Sequence, residues 1–128
     1  MLCIFDGAYA EFADEDPMNR LATQPNVVVV RTMSKAWGLP GLRVGYAVGD
    51  VRVIDWMRAT SSPYTVAHSS LKLAEACLAE GTERKIAFVE SVKKEREVIR
   101  DAMEACRFKV EASEANFLFA TILSLIHI

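Results

Sequence analysis

The sequence predicts an α/β fold built on a mainly parallel sheet with helices, and three observations carry that expectation. Residues 27–30 are four consecutive valines, a run too short for a helix and β-branched throughout, as in a strand buried on both faces. Leu2–Phe5 is a second short apolar run, and the stretch between the two can hold one helix, so strand, helix and strand fit the roughly thirty residues of a right-handed βαβ unit. From residue 50 to about 106 apolar residues recur at helical spacing, and only short strand-like runs follow.

Leu2–Phe5 ends at Asp6, followed by Gly7, Ala8 and Tyr9. A carboxylate therefore stands where a strand meets its loop, the edge at which open α/β sheets bind ligands. An acidic stretch (Glu11, Asp14, Glu15, Asp16) leads to Pro17, which can open a short helix to about Thr23. Gln24-Pro25-Asn26 then turns into the valine strand. That run stops at Arg31, and Thr32, Met33, Ser34 and Lys35 read as a polar loop before glycines 38, 41 and 45 and a further apolar run, Val44–Val48. A lysine at the exit of a buried strand, with hydroxyls before it and Arg43 eight positions later, suggests an amine that forms an imine and donors that hold a phosphate.

Asp50 is placed to cap a helix containing Val51, Ile54, Trp56, Met57 and Ala59, which Pro63 brings to an end. Val66–Leu78 reads as a second helix with Leu71, Ala74 and Leu78 on one face; Gly81 closes it. Thr82 is expected to cap a third, running to about Cys106, with Val89, Val92, Ile99, Met103 and Cys106 as its stripe opposite solvated Lys93, Lys94, Glu97 and Arg100. Phe108–Val110 and Asn116–Thr121 read as short strands around a Ser113-Glu114 turn.

The 128 residues, 52% hydrophobic and 25% charged, suffice for one core. A net charge of -2 leaves no basic excess for nucleic acid and no polybasic tract for a membrane surface, so neither partner is expected. Cys3, Cys77 and Cys106 are odd in number, well separated and free of any CxxC pair, which fits reduced thiols in a cytoplasmic protein. With two histidines and no Cys/His ligand spacing, no metal site is expected. Met1 reads as an internal methionine of a longer protein. Residues 123–128 (LSLIHI) match the translated end of a sequencing transposon, so the native sequence is expected to stop near Ile122.

Asp6-x-Ala8-Tyr9 followed by Ser34-Lys35-x-x-Gly38-Leu39-x-Gly41-x-Arg43-x-Gly45 resembles the pyridoxal-phosphate enzymes of the aspartate aminotransferase fold, fold type I. Within that group FDGAYAEF, RTMSKAWGLPGLRVGY and SEANFLF look most like histidinol-phosphate aminotransferases. The resemblance covers nearly all of residues 1–122. It implies the C-terminal half of a large cofactor-binding domain in residues 1–80, and a connecting helix with the start of a small α+β domain in residues 81–122.

The resemblance also implies roles. Lys35 would form an imine with the aldehyde of pyridoxal 5′-phosphate and then carry the substrate proton. Asp6 would pair with the pyridine nitrogen, Tyr9 would bond the phenolic oxygen, and Arg43 would clamp the phosphate with hydroxyl donors from Ser34 and Thr32. Trp37 and Tyr64 are expected to pack rather than bind. The implied function is a fragment of an aminotransferase moving an amino group between histidinol phosphate and 2-oxoglutarate, in a parent protein that is a homodimer. A pyridoxal-phosphate decarboxylase on the same scaffold would use the same cofactor residues, and a non-catalytic domain is a third reading. The family's phosphate-cup loop and carboxylate-gripping arginine have no counterpart here, so the isolated chain is expected to turn over weakly or not at all.

Overall fold

The valine run forms the middle of the sheet. In the computed structural model, which describes residues 1–122, β1 (Cys3–Asp6), β2 (Val27–Thr32) and β3 (Gly45–Gly49) lie in that spatial order. Val28 and Val29 point to opposite faces of β2 and both are buried, which is why the strand reads as continuous rather than alternating. β1 and β2 are parallel, with Cys3 opposite Val27 and Asp6 opposite Val30. The short helix α1 (Met18–Ala22), opened by Pro17, completes the expected βαβ unit.

β3 returns antiparallel to β2, with Thr32 opposite Gly45 and Val28 opposite Gly49, so the described strands form one parallel and one antiparallel pair. The physical reason is residues 33–44, which hold only a 3-10 turn at Pro40–Leu42 and no helix to carry a parallel crossover. A Cβ on Gly45 would lie 2.7 Å from the Arg31 carbonyl oxygen, so glycine is what lets β3 start this close to β2.

Helices α2 (Val51–Thr60), α3 (His68–Glu80) and α4 (Thr82–Ala105) follow, and then an antiparallel pair, β4 (Phe108–Val110) with β5 (Ala120–Ile122). Asp50 caps α2 as expected, accepting the Arg52 N–H at 2.9 Å. Hydrogen bonds from the Arg52 side chain and then its backbone hold the Asp50 carboxyl below the usual carboxylate range.

Four expectations are corrected. α3 starts at His68 rather than Val66. Gly81 both closes α3 and precedes α4, with no side-chain cap from Thr82. β5 begins only at Ala120, because the Ser113 hydroxyl donates to the Phe117 carbonyl at 2.7 Å and folds residues 113–117 into a turn. Tyr64 does not pack: it is 91% exposed.

The core forms two clusters. Phe12, Ala36 and Val89 make one, flanked by Tyr9 and Val92. Met33, Val44 and Ala74 make the other, with Trp37 among its neighbours. The predicted helical faces are only partly covered: Val53 and Val89 are buried, whereas Trp56, Leu71 and Ile99 are exposed. The cysteines are free thiols. Among the described residues no helix is long and apolar enough to cross a membrane. The expected non-native tail, 123–128, lies outside the described residues.

Candidate active site

The lysine loop is polar in appearance but anchored by apolar residues. Met33 and Ala36, on either side of Lys35, are each 1% exposed and belong to different core clusters. The backbone closes the loop on itself. Met33 N–H donates to the Val44 carbonyl, Leu39 N–H to the Met33 carbonyl and Gly38 N–H to the Lys35 carbonyl, each at 3.0 Å. Gly38 adopts φ +66°, a left-handed conformation that a side chain disfavours. Lys35 is thus held by its neighbours while its own side chain stays half-buried.

Because β1 and β2 are parallel and in register, both motifs leave the sheet at the same edge. Asp6 is exposed there and accepts the Ala8 N–H at 3.0 Å, which tightens the turn toward Tyr9. The Lys35 Nζ lies 5.2 Å from the centroid of the Tyr9 ring, within cation–π range. Tyr9 also meets Phe117 edge-on at 5.2 Å and, with Asp6, lines a cavity of about 300 Å³ bounded by Glu114 and Ala115.

The Thr32 hydroxyl donates to Ser34 Oγ at 3.0 Å, and the Ser34 N–H donates to Thr32 Oγ1 at 3.1 Å. Ser34 therefore keeps its own hydroxyl proton for another acceptor, while that of Thr32 is engaged. Arg43 stands apart from this pair. It is exposed, takes the left-handed conformation (φ 55°, ψ 37°), and its guanidinium donates to the Pro40 carbonyl at 3.2 Å within its own turn. Trp37 packs as expected, with the Lys85 Nζ 5.1 Å from its ring centroid.

One residue behind the site was not singled out from sequence. Arg31, read as the end of the apolar run, lies inside β2 and is 6% exposed. Its guanidinium donates to the Gly7 carbonyl at 3.0 Å, pairs with the Asp16 carboxylate and stands 3.6 Å from that of Glu11. Burial pushes the Glu11 carboxyl up, partly countered by the Arg31 charge. A charge embedded in an apolar strand, with an acidic stretch upstream, was the available signal, since a buried charge needs a partner.

These donors fit pyridoxal 5′-phosphate. A free hydroxyl and a loop amine suit a phosphate and an aldehyde, while an aromatic side chain and a carboxylate across the same edge suit a protonated heteroaromatic ring.

Comparison with known proteins agrees. The family model described as aminotransferase class I and II matches residues 1–126. The chain is 40% identical over 125 residues to the aromatic amino acid aminotransferase of Nocardia farcinica, covering 93% of this chain and 35% of that relative. The chain thus spans about a third of the length of the curated relatives it matches. The solved structure of histidinol-phosphate aminotransferase from Sinorhizobium meliloti, in complex with pyridoxal-5′-phosphate, superposes with a TM-score of 0.86 at 25% identity, over 97% of this chain and 34% of that one. A decarboxylase from Sulfurospirillum multivorans gives 0.82 at 26% identity, over 96% of this chain and 37% of its own. On the lysine loop, the sheet edge it shares with Asp6 and Tyr9, and a family match over nearly its whole length, this chain belongs to the class I and II aminotransferases.

Proposed function

We propose that this chain is part of a pyridoxal-phosphate-dependent aminotransferase in which Lys35 bonds the cofactor and carries the reacting proton. The observation that carries the reading is the Lys35 amine over the Tyr9 ring, at the sheet edge where Asp6 ends β1. Bound pyridoxal phosphate supplies an electron-accepting ring that makes loss of a substrate proton feasible. Lys35 Nζ takes that proton and returns it. The Asp6 carboxylate would keep the ring nitrogen protonated, and the Tyr9 hydroxyl would hold the cofactor's phenolic oxygen. Ser34, oriented by Thr32, and Arg43, whose guanidinium donates to the Pro40 carbonyl, would hold the phosphate.

The proposed amino donor carries a flat aromatic group: an aromatic amino acid or the imidazole compound histidinol phosphate, with a 2-oxo acid such as 2-oxoglutarate as acceptor. Support comes from the names of relatives, among which are an aromatic amino acid aminotransferase and a histidinol-phosphate aminotransferase. The whole protein is proposed to be a cytoplasmic homodimer, with residues 1–80 in its cofactor-binding domain and 81–122 leading into a smaller one. The decarboxylase neighbour favours a second reading, loss of carbon dioxide on the same cofactor residues. Product analysis of the complete protein, offered each donor with 2-oxoglutarate, separates them. Glutamate together with the donor's oxo product is expected, and carbon dioxide without glutamate would overturn the transfer reading.

A further inference from the structure

Among the described residues, Arg31 is the buried charged residue of the sheet, and its hydrogen-bond and charge partners share a location. The Gly7 carbonyl, the Glu11 carboxylate and the Asp16 carboxylate all belong to residues 7–16, the segment that carries Tyr9. The fit is close: a Cβ on Gly7 would lie 3.0 Å from Arg31 Cδ, so a side chain there would press on the path of the guanidinium. Asp16 accepts the Met18 N–H with its other oxygen and links the same grip to the start of α1.

From the far side, Lys93 of α4 donates to the Ala13 carbonyl at 3.3 Å and to Asp14 at 3.0 Å. Tyr46 of β3 is the cross-strand partner of Arg31, and Lys85 of α4 adds a second positive charge near Glu11. At 3.6 Å the Glu11 contact is a charge contact without a hydrogen bond, and neither Glu11 Oε2 nor Arg31 Nε has a hydrogen-bond partner among the described residues. The grip is therefore strong at Gly7 and Asp16 and looser at Glu11.

We propose that Arg31 is a positioning residue: its guanidinium fixes residues 7–16 against β2 and so sets the Tyr9 ring under the Lys35 amine. The link to cofactor uptake rests on the reading of Lys35 given above; the ordering of the segment does not. Lysine at this position keeps the charge but lacks the planar fork that donates to Gly7 and Asp16 at once.

Two readouts on the chain test the proposal: amide hydrogen exchange in residues 8–13 relative to α2 and α3, and the pyridoxal phosphate concentration that half-saturates borohydride-fixed labelling of Lys35. Arg31→Lys is expected to speed exchange in residues 8–13 by about tenfold or more while helix exchange stays as in the wild type, and to raise the half-saturating concentration by about tenfold, the value of one charge-assisted bond. Should Arg31→Lys fail to fold, Asp16→Asn, at an exposed residue, removes one acceptor and is expected to shift both readouts the same way by less. Unchanged exchange in residues 8–13, or acceleration spread evenly over the helices, overturns the positioning role. Faster local exchange with unchanged labelling overturns the connection to Lys35. If even the wild type leaves Lys35 unlabelled, the reading of Lys35 as the cofactor-bonding amine fails instead, and exchange alone decides whether Arg31 orders the segment.

Discussion

Replacing Phe12 by alanine probes how the two motifs are held together. Phe12 is fully buried one turn beyond Tyr9, and its cluster contains Ala36, the residue after Lys35, and Val89 of α4. Its ring also meets Phe88 edge-on, with centroids 6.4 Å apart. Deleting a buried phenyl group costs about 3–5 kcal/mol, because transfer energy is lost and a cavity is left. Against a total stability of about 5–15 kcal/mol this is a large share. At about 4 °C per kcal/mol for a chain of this length, the melting temperature should fall by about 12–20 °C. Phe12→Leu keeps most of the volume and should lose about 1 kcal/mol. Urea and thermal melts followed by circular dichroism measure both. A loss under about 1 kcal/mol for Phe12→Ala would mean that the ring does not clamp the Tyr9 turn to the lysine loop.

Other consequences are equally specific. Gly45→Ala would bring a Cβ to 2.7 Å from the Arg31 carbonyl and should cost about 1–3 kcal/mol in urea melts, whereas Gly41→Ala, with nothing within 4 Å, should be near neutral; equal effects would refute the close-approach account. Arg43→Gly suits the left-handed conformation and should keep stability within about 1 kcal/mol, yet lessen the preference for pyridoxal phosphate over pyridoxal by about tenfold or more; an unchanged preference would remove Arg43 from the phosphate site. At Glu11, burial outweighs the charges of Arg31 and Lys85, with Asp16 adding to the rise, so the folded chain holds this proton to higher pH than the unfolded chain, whose value is near 4.5. Its contribution to stability therefore declines as pH rises from there through the folded value, and Glu11→Gln should flatten that decline; identical pH profiles in urea melts would contradict the sign.

Much of this was legible from residue order alone. Val27–Val30 could be read as a central strand because a run buried on both faces needs no alternation, and Asp50 announced α2 by its capping chemistry. Arg31 was not legible, since its burial depends on Gly7 and Asp16, which lie 24 and 15 residues away in sequence. Met33 looked like part of a polar loop because its neighbours are polar, but its own side chain enters the core. The late start of β5 comes from a Ser113–Phe117 bond that competes with strand pairing. Periodicity identified the apolar faces carrying Trp56, Leu71 and Ile99, but it says nothing of what covers them. The motif placed Arg43 near a phosphate, while its backbone conformation and its bond to Pro40 are properties of the folded turn.

The most direct measurement is the site of covalent attachment. The chain is incubated with pyridoxal phosphate, reduced with borohydride and mapped by peptide mass spectrometry. The label should sit on Lys35 and vanish in Lys35→Ala. A label spread evenly over Lys72, Lys85, Lys93, Lys94 and Lys109, or unchanged by that substitution, would contradict the assignment of Lys35 as the cofactor-bonding amine.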